Sequence, residues 1–233
     1  MTNHKRSIPI YADGIGSVDY INHMGDDLTV VNSARVSFGV EKDKLDEKDK
    51  KLIKYLIKHN HTSTLEHCVI TFRFTVPLFV RSQHHRHRTW SYNEISRRYT
   101  DEDIDIYELS EFRTQHNSNR QASNTDNMIN PVLRCGSDCD SLVSMHHQMS
   151  FDLYHKMIDA GVCREQARGV LPQNLYTKYY GTVNLNNLLK FIQLRTHEGA
   201  QWEIQQVALA CLEIAKDLWP ITIEAYKNIK NTS

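Results

Sequence analysis

The sequence predicts an α+β fold, in which helices pack on a small central antiparallel sheet within a single domain. The segment from Cys68 to Val76 alternates with the two-residue period of a β-strand. The segments 43–59 and 200–219 instead repeat apolar residues at helical spacing. The 233 residues contain no internal repeat and no clear linker. We therefore predict one domain over residues 1–233, with a variable polar loop near 100–136.

The N-terminal part alternates between strand and helix patterns. Residues 15–37 contain short apolar pieces among Gly and Asp, which predicts one or two strands and a loop. The helix over 43–59 has an apolar stripe and a solvated charged face. The strand that follows should end at Pro77, and residues 78–88 should begin a helix. The buried face of that strand is predicted to consist of Ile70, Phe72, Phe74 and Val76.

The C-terminal part is predicted to be mostly helical. Residues 100–136 are predicted to be the least organised part, a surface loop or a partly mobile lid, because residues 114–127 are almost entirely polar. Ser137 and Asp140 have capping-box spacing and predict a helix whose apolar stripe lies in the core: Leu142, Met145, Met149, Leu153 and Met157. The remaining predicted elements are a helix over 163–171, a strand over 176–183, a helix over 185–195, and the helix over 200–219 that Pro220 breaks or kinks.

The segment from Arg81 to Tyr99 is strongly basic. It holds five arginines and one glutamate, although the formal net charge of the chain is zero. Arginine suits a bound anion, because its planar guanidinium meets phosphate oxygens in pairs and keeps its proton. A solvated face or a nucleic-acid patch is the alternative for a basic run. The interleaved polar residues and the preceding apolar strand favour a built anion site.

The composition argues against several other classes of protein. No signal peptide is evident, and the longest purely apolar run, 207–212, is far too short to span a bilayer. The five scattered cysteines predict reduced thiols in a cytoplasmic protein. Cys135 with Cys139, or the histidines at 84, 85 and 87, could hold a metal. Neither set offers enough converging ligands at zinc-like spacing, so we predict no metal site.

One motif in the basic segment points to a family. Arg86-His87-Arg88 is followed after seven residues by Ser96, and the pattern R-H-R-x-x-S-x-N-E-x-S-x-R-Y continues unbroken to Tyr99. It resembles the signature of the flavin-dependent thymidylate synthases. The likeness extends from residues 34–39 (A-R-V-S-F-G) to residues 200–205 (A-Q-W-E-I-Q), and so covers nearly all the chain.

The resemblance implies an enzyme that makes dTMP from dUMP. FAD would be its cofactor, 5,10-methylenetetrahydrofolate its carbon donor and NADPH its reductant, in a homotetramer with shared active sites. Methylation of uracil at C5 can proceed in two ways. Either a cysteine thiolate adds to the neighbouring ring carbon, or a cofactor transfers the electrons that the reaction needs. No cysteine lies in the basic segment, and Cys68 and Cys211 sit in apolar patterns. We therefore predict a mechanism without a cysteine nucleophile.

The resemblance also assigns the site residues. The implied dUMP-binding residues are Gln83, Arg86, Glu94, Ser96, Arg97, Arg98, Arg168 and Arg195. The implied FAD-binding residues are His61, Ser63, Arg86, His87, Arg88, Glu94, Asn184, Asn186 and Lys190. The catalytic candidates are Arg195, which would stabilise negative charge on uracil, and Ser96. We interpret Ser96 as a hydrogen-bonding group, because no base lies near it in the sequence.

Two departures and two rival functions remain. Lys190 stands where some relatives carry a polar amide, and Gly199 where some carry histidine. The main rival is a nucleic-acid binder that stacks bases on Trp90, Tyr92 and Tyr99. A zinc enzyme is the second rival. We expect neither a nucleic acid nor a membrane as partner.

Overall fold

The computed structural model describes residues 6–96 and 105–230. Its centre is a five-stranded sheet with the strand order β1-β2-β3-β7-β4, in which every neighbouring pair is antiparallel. A separate hairpin pairs β5 with β6. The strands are β1 (Ser7–Pro9), β2 (Ser17–Met24), β3 (Val69–Pro77), β4 (Ser91–Glu94), β5 (Phe112–Gln115), β6 (Ser123–Ile129) and β7 (Tyr176–Asn184).

Helices surround this sheet, and together they confirm the predicted α+β class. They are α1 (Asp27–Arg35), α2 (Glu47–Lys58), α3 (Leu78–His84), α4 (Cys139–Asp159), α5 (Arg164–Ala167), α6 (Leu185–Arg195), α7 (Trp202–Leu218) and α8 (Pro220–Lys230). Short 3₁₀ turns occupy Val36–Phe38, Thr62–His67 and Arg168–Val170. No helix in the described ranges combines the length and the apolar character that crossing a membrane requires.

Strand β3 forms the centre of the core, as its alternation predicts. Ile70, Phe72, Phe74 and Val76 are fully buried. They belong to one apolar cluster with buried residues of α6 and α7. The ring of Phe74 stacks on that of Tyr179 in β7, at 5.0 Å between centroids. The predicted helices at α2, α3, α6 and α7 and the strand at β7 are confirmed, with small differences at their ends.

The loop expected within residues 15–37 is wrong, because α1 follows directly on β2. Asp26 caps α1 by accepting a hydrogen bond from the Thr29 backbone N–H at 2.9 Å, and the Thr29 hydroxyl bonds back to Asp26. Val30 and Val31 on this helix are fully buried. Gly and Asp residues favour a loop in the sequence, but here Asp26 is the N-cap at which α1 begins.

The loop predicted near 100–136 contains regular structure, since β5 and β6 form a hairpin there. Arg113 in β5 donates to the buried carboxylate of Glu203 in α7 at 2.5 Å. Its guanidinium also lies 5.5 Å from the ring centre of Trp202. A polar segment is thus ordered by distant contacts that local composition does not reveal.

Helix α4 begins near the predicted position but does not use the predicted contacts. Its N-cap is Asp138, with no side-chain capping bond, so the capping box of Ser137 is wrong. The predicted core stripe is wrong as well: Met145, Met149 and Leu153 are 54%, 62% and 48% exposed. The helix instead buries a face containing His147, Ser150 and Tyr154, because α4 packs mainly on α5 and the 3₁₀ turn after it.

The C-terminal part of the chain contains a helix that is not among the predicted elements. Pro220 interrupts the helical pattern as predicted, but it also begins α8. The buried Asp27 accepts the backbone N–H groups of Ile221 and Thr222 at 2.9 and 3.0 Å. It therefore satisfies donors in the first turn of α8 that have no partner within the helix.

Candidate functional site

The basic segment folds as a helix, a turn and an edge strand. Helix α3 ends at His84, the motif Arg86-His87-Arg88 lies in the turn, and β4 pairs with β7. The Tyr92 hydroxyl donates to the carbonyls of His84 and His87, at 3.0 and 3.2 Å. The His84 ring is fully buried and lies 2.8 Å from the Tyr179 hydroxyl through Nδ1. These contacts fix the turn against the core.

One cavity of about 550 Å³ brings several predicted residues together. Glu94, Ser96 and Arg168 line it, and Glu165 from α5 lines it as well. The residues around it come from α3, the end of β4, the α5 region and the start of β7: Leu78, Arg81, Glu94, Ile95, Ser96, Glu165, Arg168, Gly169, Leu171, Gln173, Leu175, Tyr176 and Thr177. We refer to it below as the Ser96 cavity.

The charged groups of the Ser96 cavity are partly paired. Arg81 Nε lies 3.2 Å from a carboxylate oxygen of Glu94, which also accepts from the Thr177 hydroxyl at 2.7 Å. Arg168 forms no ion pair with any residue in the described part of the chain. Arg81 and Thr177 are not among the site residues predicted from the sequence. Arg81 could have been identified from the sequence, because it belongs to the basic segment. No local sequence pattern identifies Thr177.

A second group of predicted residues gathers around Arg195, at the end of α6. Its Nε–H donates to Nε2 of His87 at 3.0 Å, and Nη2 donates to the carbonyl of Gln83 at 3.2 Å. The Gln83 side chain bonds that of Gln201, immediately before α7. Burial, followed by the positive charge of Arg195, lowers the pKa of His87 to about 4. At neutral pH His87 is therefore an uncharged acceptor beside a cation.

The remaining predicted residues lie near the start of α6. His61 and Ser63 are exposed, before and within the 3₁₀ turn Thr62–His67. The buried Asn186 donates to a carboxylate oxygen of Glu66 at 2.9 Å. Asn184 caps α6 by accepting from the Asn187 N–H at 2.9 Å. Lys190 is exposed on α6, and Arg97 and Arg98 lie outside the described residues.

Arg86 and Arg88 stand out from these groups. Both are exposed, and neither forms an ion pair with a residue in 6–96 or 105–230. They are not residues of the Ser96 cavity, nor are Gln83, His87 or Arg195. The predicted residues thus include a group that lines the Ser96 cavity and a group around Arg195. Uncompensated arginines in a fixed turn are suited to an anionic ligand.

The remaining groups with possible catalytic chemistry are the thiols and the potential metal ligands of the described residues. Cys68 and Cys211 are buried, and burial raises the pKa of Cys68 to about 12 and raises that of Cys211 as well. None of the five cysteines lines the Ser96 cavity. Within the ranges that the structure covers, no three His, Cys, Asp or Glu side chains gather in a way that could hold a metal ion.

Comparison with known proteins shows the family. Residues 19–221 match the family described as thymidylate synthase complementing protein. The chain is 40% identical over 217 residues to the flavin-dependent thymidylate synthase of Thermotoga neapolitana, covering 91% of this chain and 90% of that protein. It is 40% identical over 221 residues to an enzyme of the same name from Thermus thermophilus, covering 95% of this chain and 78% of that protein.

A solved structure agrees with this relationship. The UMP/dUMP methylase PolB from Streptomyces cacaoi, bound with 5-Br dUMP, superposes with a TM-score of 0.76 at 30% identity, covering 91% of this chain and 94% of that one. The fold, the motif and the overall sequence thus indicate the same family over almost the whole length of the chain. The protein is an enzyme that belongs to the flavin-dependent thymidylate synthase family.

Proposed function

We propose that this enzyme converts dUMP to dTMP by reductive methylation. The carbon donor is 5,10-methylenetetrahydrofolate, NADPH is the reductant, FAD is the cofactor, and no cysteine acts as nucleophile. The observation that carries the proposal is the Ser96 cavity, where Glu94, Ser96 and Arg168 of the family motif regions meet in one space. The PolB neighbour, which was solved with 5-Br dUMP and with 5-Br UMP, supports a uridine monophosphate as the substrate.

Arg168 supplies the charge that a nucleotide phosphate needs in this cavity. The Arg81 guanidinium is already close to Glu94, whereas Arg168 has no ion pair among the described residues. A guanidinium forms two parallel hydrogen bonds to phosphate oxygens, which orients the ligand as well as binding it. Ser96 can add a hydroxyl bond. We assign Gln83, Arg86, Arg97 and Arg98 to the same nucleotide, as their motif positions imply.

The residues outside the Ser96 cavity fit a flavin nucleotide. FAD carries a pyrophosphate, and the exposed, uncompensated Arg86 and Arg88 offer two cations for it. His87 next to them, His61, Ser63 and Asn186 offer polar side chains for the rest of the molecule, together with Glu94, Asn184 and Lys190. A bound reduced flavin would supply the hydride that turns the transferred carbon into a methyl group.

Arg195 is placed to act on the pyrimidine itself. Its charge is not cancelled, because its two described acceptors, His87 Nε2 and the Gln83 carbonyl, are both neutral. A cation near N3 and O2 stabilises negative charge on uracil and so makes C5 a better nucleophile. A thiolate is not required for this activation. The raised pKa values of the buried Cys68 and Cys211 also make those two thiols poor nucleophiles.

The separation of the site residues supports a homotetramer with shared active sites. The Ser96 cavity contains Arg168 but not Gln83, His87 or Arg195. We infer that dUMP contacts both groups and that a second copy of the chain supplies one of them, as the family resemblance implies. We further place the enzyme in the cytoplasm, in keeping with its five free cysteines.

The test is to purify the protein and supply its substrates. We expect a yellow protein whose visible absorption bleaches with NADPH and which forms dTMP only when dUMP and methylenetetrahydrofolate are both present. Light scattering should give four chains per particle. Replacing Arg195 by alanine should keep the flavin colour and abolish most dTMP formation. A colourless protein that binds nucleic acid with a steep salt dependence would instead support the nucleic-acid rival.

A further inference from the structure

The side chain of Arg195 is long and flexible, so its direction depends on its partners. It extends from the last residue of α6, a position at which the backbone does not fix the guanidinium. Among the described residues no carboxylate pairs with it. Two acceptors hold it instead: Nε2 of His87 at 3.0 Å and the carbonyl of Gln83 at 3.2 Å.

Neutral acceptors have a different effect from a carboxylate. A carboxylate at these distances would orient the guanidinium and also cancel most of its field. An imidazole and a peptide carbonyl orient the group and leave its full charge available. Because the proposed role of Arg195 is to meet negative charge on uracil, this arrangement preserves the property on which that role depends.

The hydrogen bond also fixes the state of the His87 ring. Arg195 Nε–H can only donate, so Nε2 of His87 must carry a lone pair, and its proton must be on Nδ1. The ring is held between α6 and the turn: Phe191 lies at 4.9 Å between centroids, edge to face. The titratable groups next to it are Arg195 and the buried His84, whose ring lies at 6.3 Å. Tyr92 holds the backbone carbonyl of His87.

We infer that His87 is a positioning residue, whose neutral imidazole aims the guanidinium of Arg195 without cancelling its charge. The inference rests on the proposed function, in which Arg195 contacts the pyrimidine of dUMP. It goes beyond the assignment of His87 to the flavin, because it gives the Nε2 face of the ring to Arg195 and leaves only the Nδ1 face for a cofactor.

The experiment measures dUMP binding, not turnover, on the purified holoenzyme by isothermal titration calorimetry. His87→Gln keeps an acceptor at the reach of Nε2, whereas His87→Phe keeps a ring without an acceptor. Both are made in the wild-type protein and in Arg195→Ala. His85→Phe is the matched control, since the His85 ring packs at a tilt against that of Tyr92, at 4.1 Å between centroids, and His85 is not among the acceptors of Arg195. Flavin content is read from the visible spectrum of each variant.

We expect His87→Phe to weaken dUMP binding about tenfold, the factor for one lost hydrogen bond to a charged group. His87→Gln and the His85→Phe control should stay within about threefold of wild type. In the Arg195→Ala background, His87→Phe should have no further effect, because the residue acts through Arg195. If His87→Phe does not fold, His87→Ala in the same two backgrounds gives the same comparison.

Two results would overturn the inference while leaving the proposed function intact. One is wild-type dUMP affinity in His87→Phe with normal flavin content. The other is an equal loss in the presence and absence of the Arg195 side chain, which would show that His87 acts independently. Failure of the wild-type holoenzyme to bind dUMP would instead refute the proposed function, and this inference with it.

Discussion

Replacing Arg168 by alanine probes the charge that the Ser96 cavity offers to a phosphate. Arg168 begins the 3₁₀ turn Arg168–Val170 and lines the cavity with Ser96 and Glu94. The other arginine there, Arg81, lies 3.2 Å from Glu94 and is partly neutralised by it. Arg168 has no such ion pair among the described residues. The substitution therefore removes the cation that is least compensated in the described lining.

The size of the effect follows from the exposure of Arg168. A hydrogen bond to a charged group contributes about 1.5–3 kcal/mol. Because Arg168 is exposed, solvent screens the interaction and the lower end applies. A loss of about 1.5 kcal/mol corresponds to roughly tenfold weaker binding of dUMP. We expect the KM for dUMP to rise by a similar factor.

The assay is calorimetric titration of the holoenzyme with dUMP, supported by KM measurements. Arg164→Ala is the matched control, because Arg164 lies in the preceding helix turn but does not line the cavity. It should change the dissociation constant less than about twofold. The reasoning is refuted if Arg168→Ala binds dUMP like wild type. It is also refuted if both variants lose affinity equally, since the effect would then come from net charge alone.

Three further predictions concern stability and mechanism. Asp49→Asn should lower the free energy of unfolding by about 3 kcal/mol in urea titrations, because the buried carboxylate accepts from Arg35 and Lys42. Gly181→Ala should cost about 1–3 kcal/mol by the same measurement, since its Cβ would lie 2.8 Å from Phe74. Replacing the three cysteines that are not buried, Cys135, Cys139 and Cys163, by serine should leave turnover unchanged.

Unfolding measurements at low pH should give a second test of the Asp49 interaction. Burial alone would raise the pKa of Asp49, but hydrogen bonds from Lys42, the Asp46 backbone and Arg35 outweigh it, and the net effect lowers the pKa. The stabilisation is therefore present above the unfolded-state pKa of about 4 and is lost as the pH falls through the folded-state value. As the pH falls below about 4 towards the folded-state pKa, the stabilities of wild type and Asp49→Asn should converge, and a constant difference down to pH 2 would contradict this.

The other two predictions can fail in equally direct ways. Unchanged stability of Gly181→Ala would mean that Phe74 and Trp90 move aside at no cost. Loss of dTMP formation in the triple cysteine variant, with flavin content and unfolding temperature unchanged, would show that a thiol takes part in the reaction. Such a result would contradict the mechanism without a cysteine nucleophile.

Local sequence pattern was sufficient to predict several features of this protein. The alternation from Val69 to Val76 specified both β3 and its buried face, because successive side chains in a strand point to opposite sides. Helical spacing specified α2 and α7. The unbroken motif from Arg86 to Tyr99 indicated the family, because so many residue types in fixed register rarely arise together by chance.

Which surfaces meet could be read only from the folded protein. The spacing of Met145, Met149 and Leu153 predicted a buried stripe, yet burial depends on which face finds a partner, and α4 buries another one. Likewise, Arg195 and His87 are 108 residues apart and become hydrogen-bonded because α6 packs beside the basic turn. A periodic pattern shows that a helix has an apolar side. Contacts between distant parts of the chain determine what that side packs against. They also determine which group pairs with a charged side chain at the end of a helix.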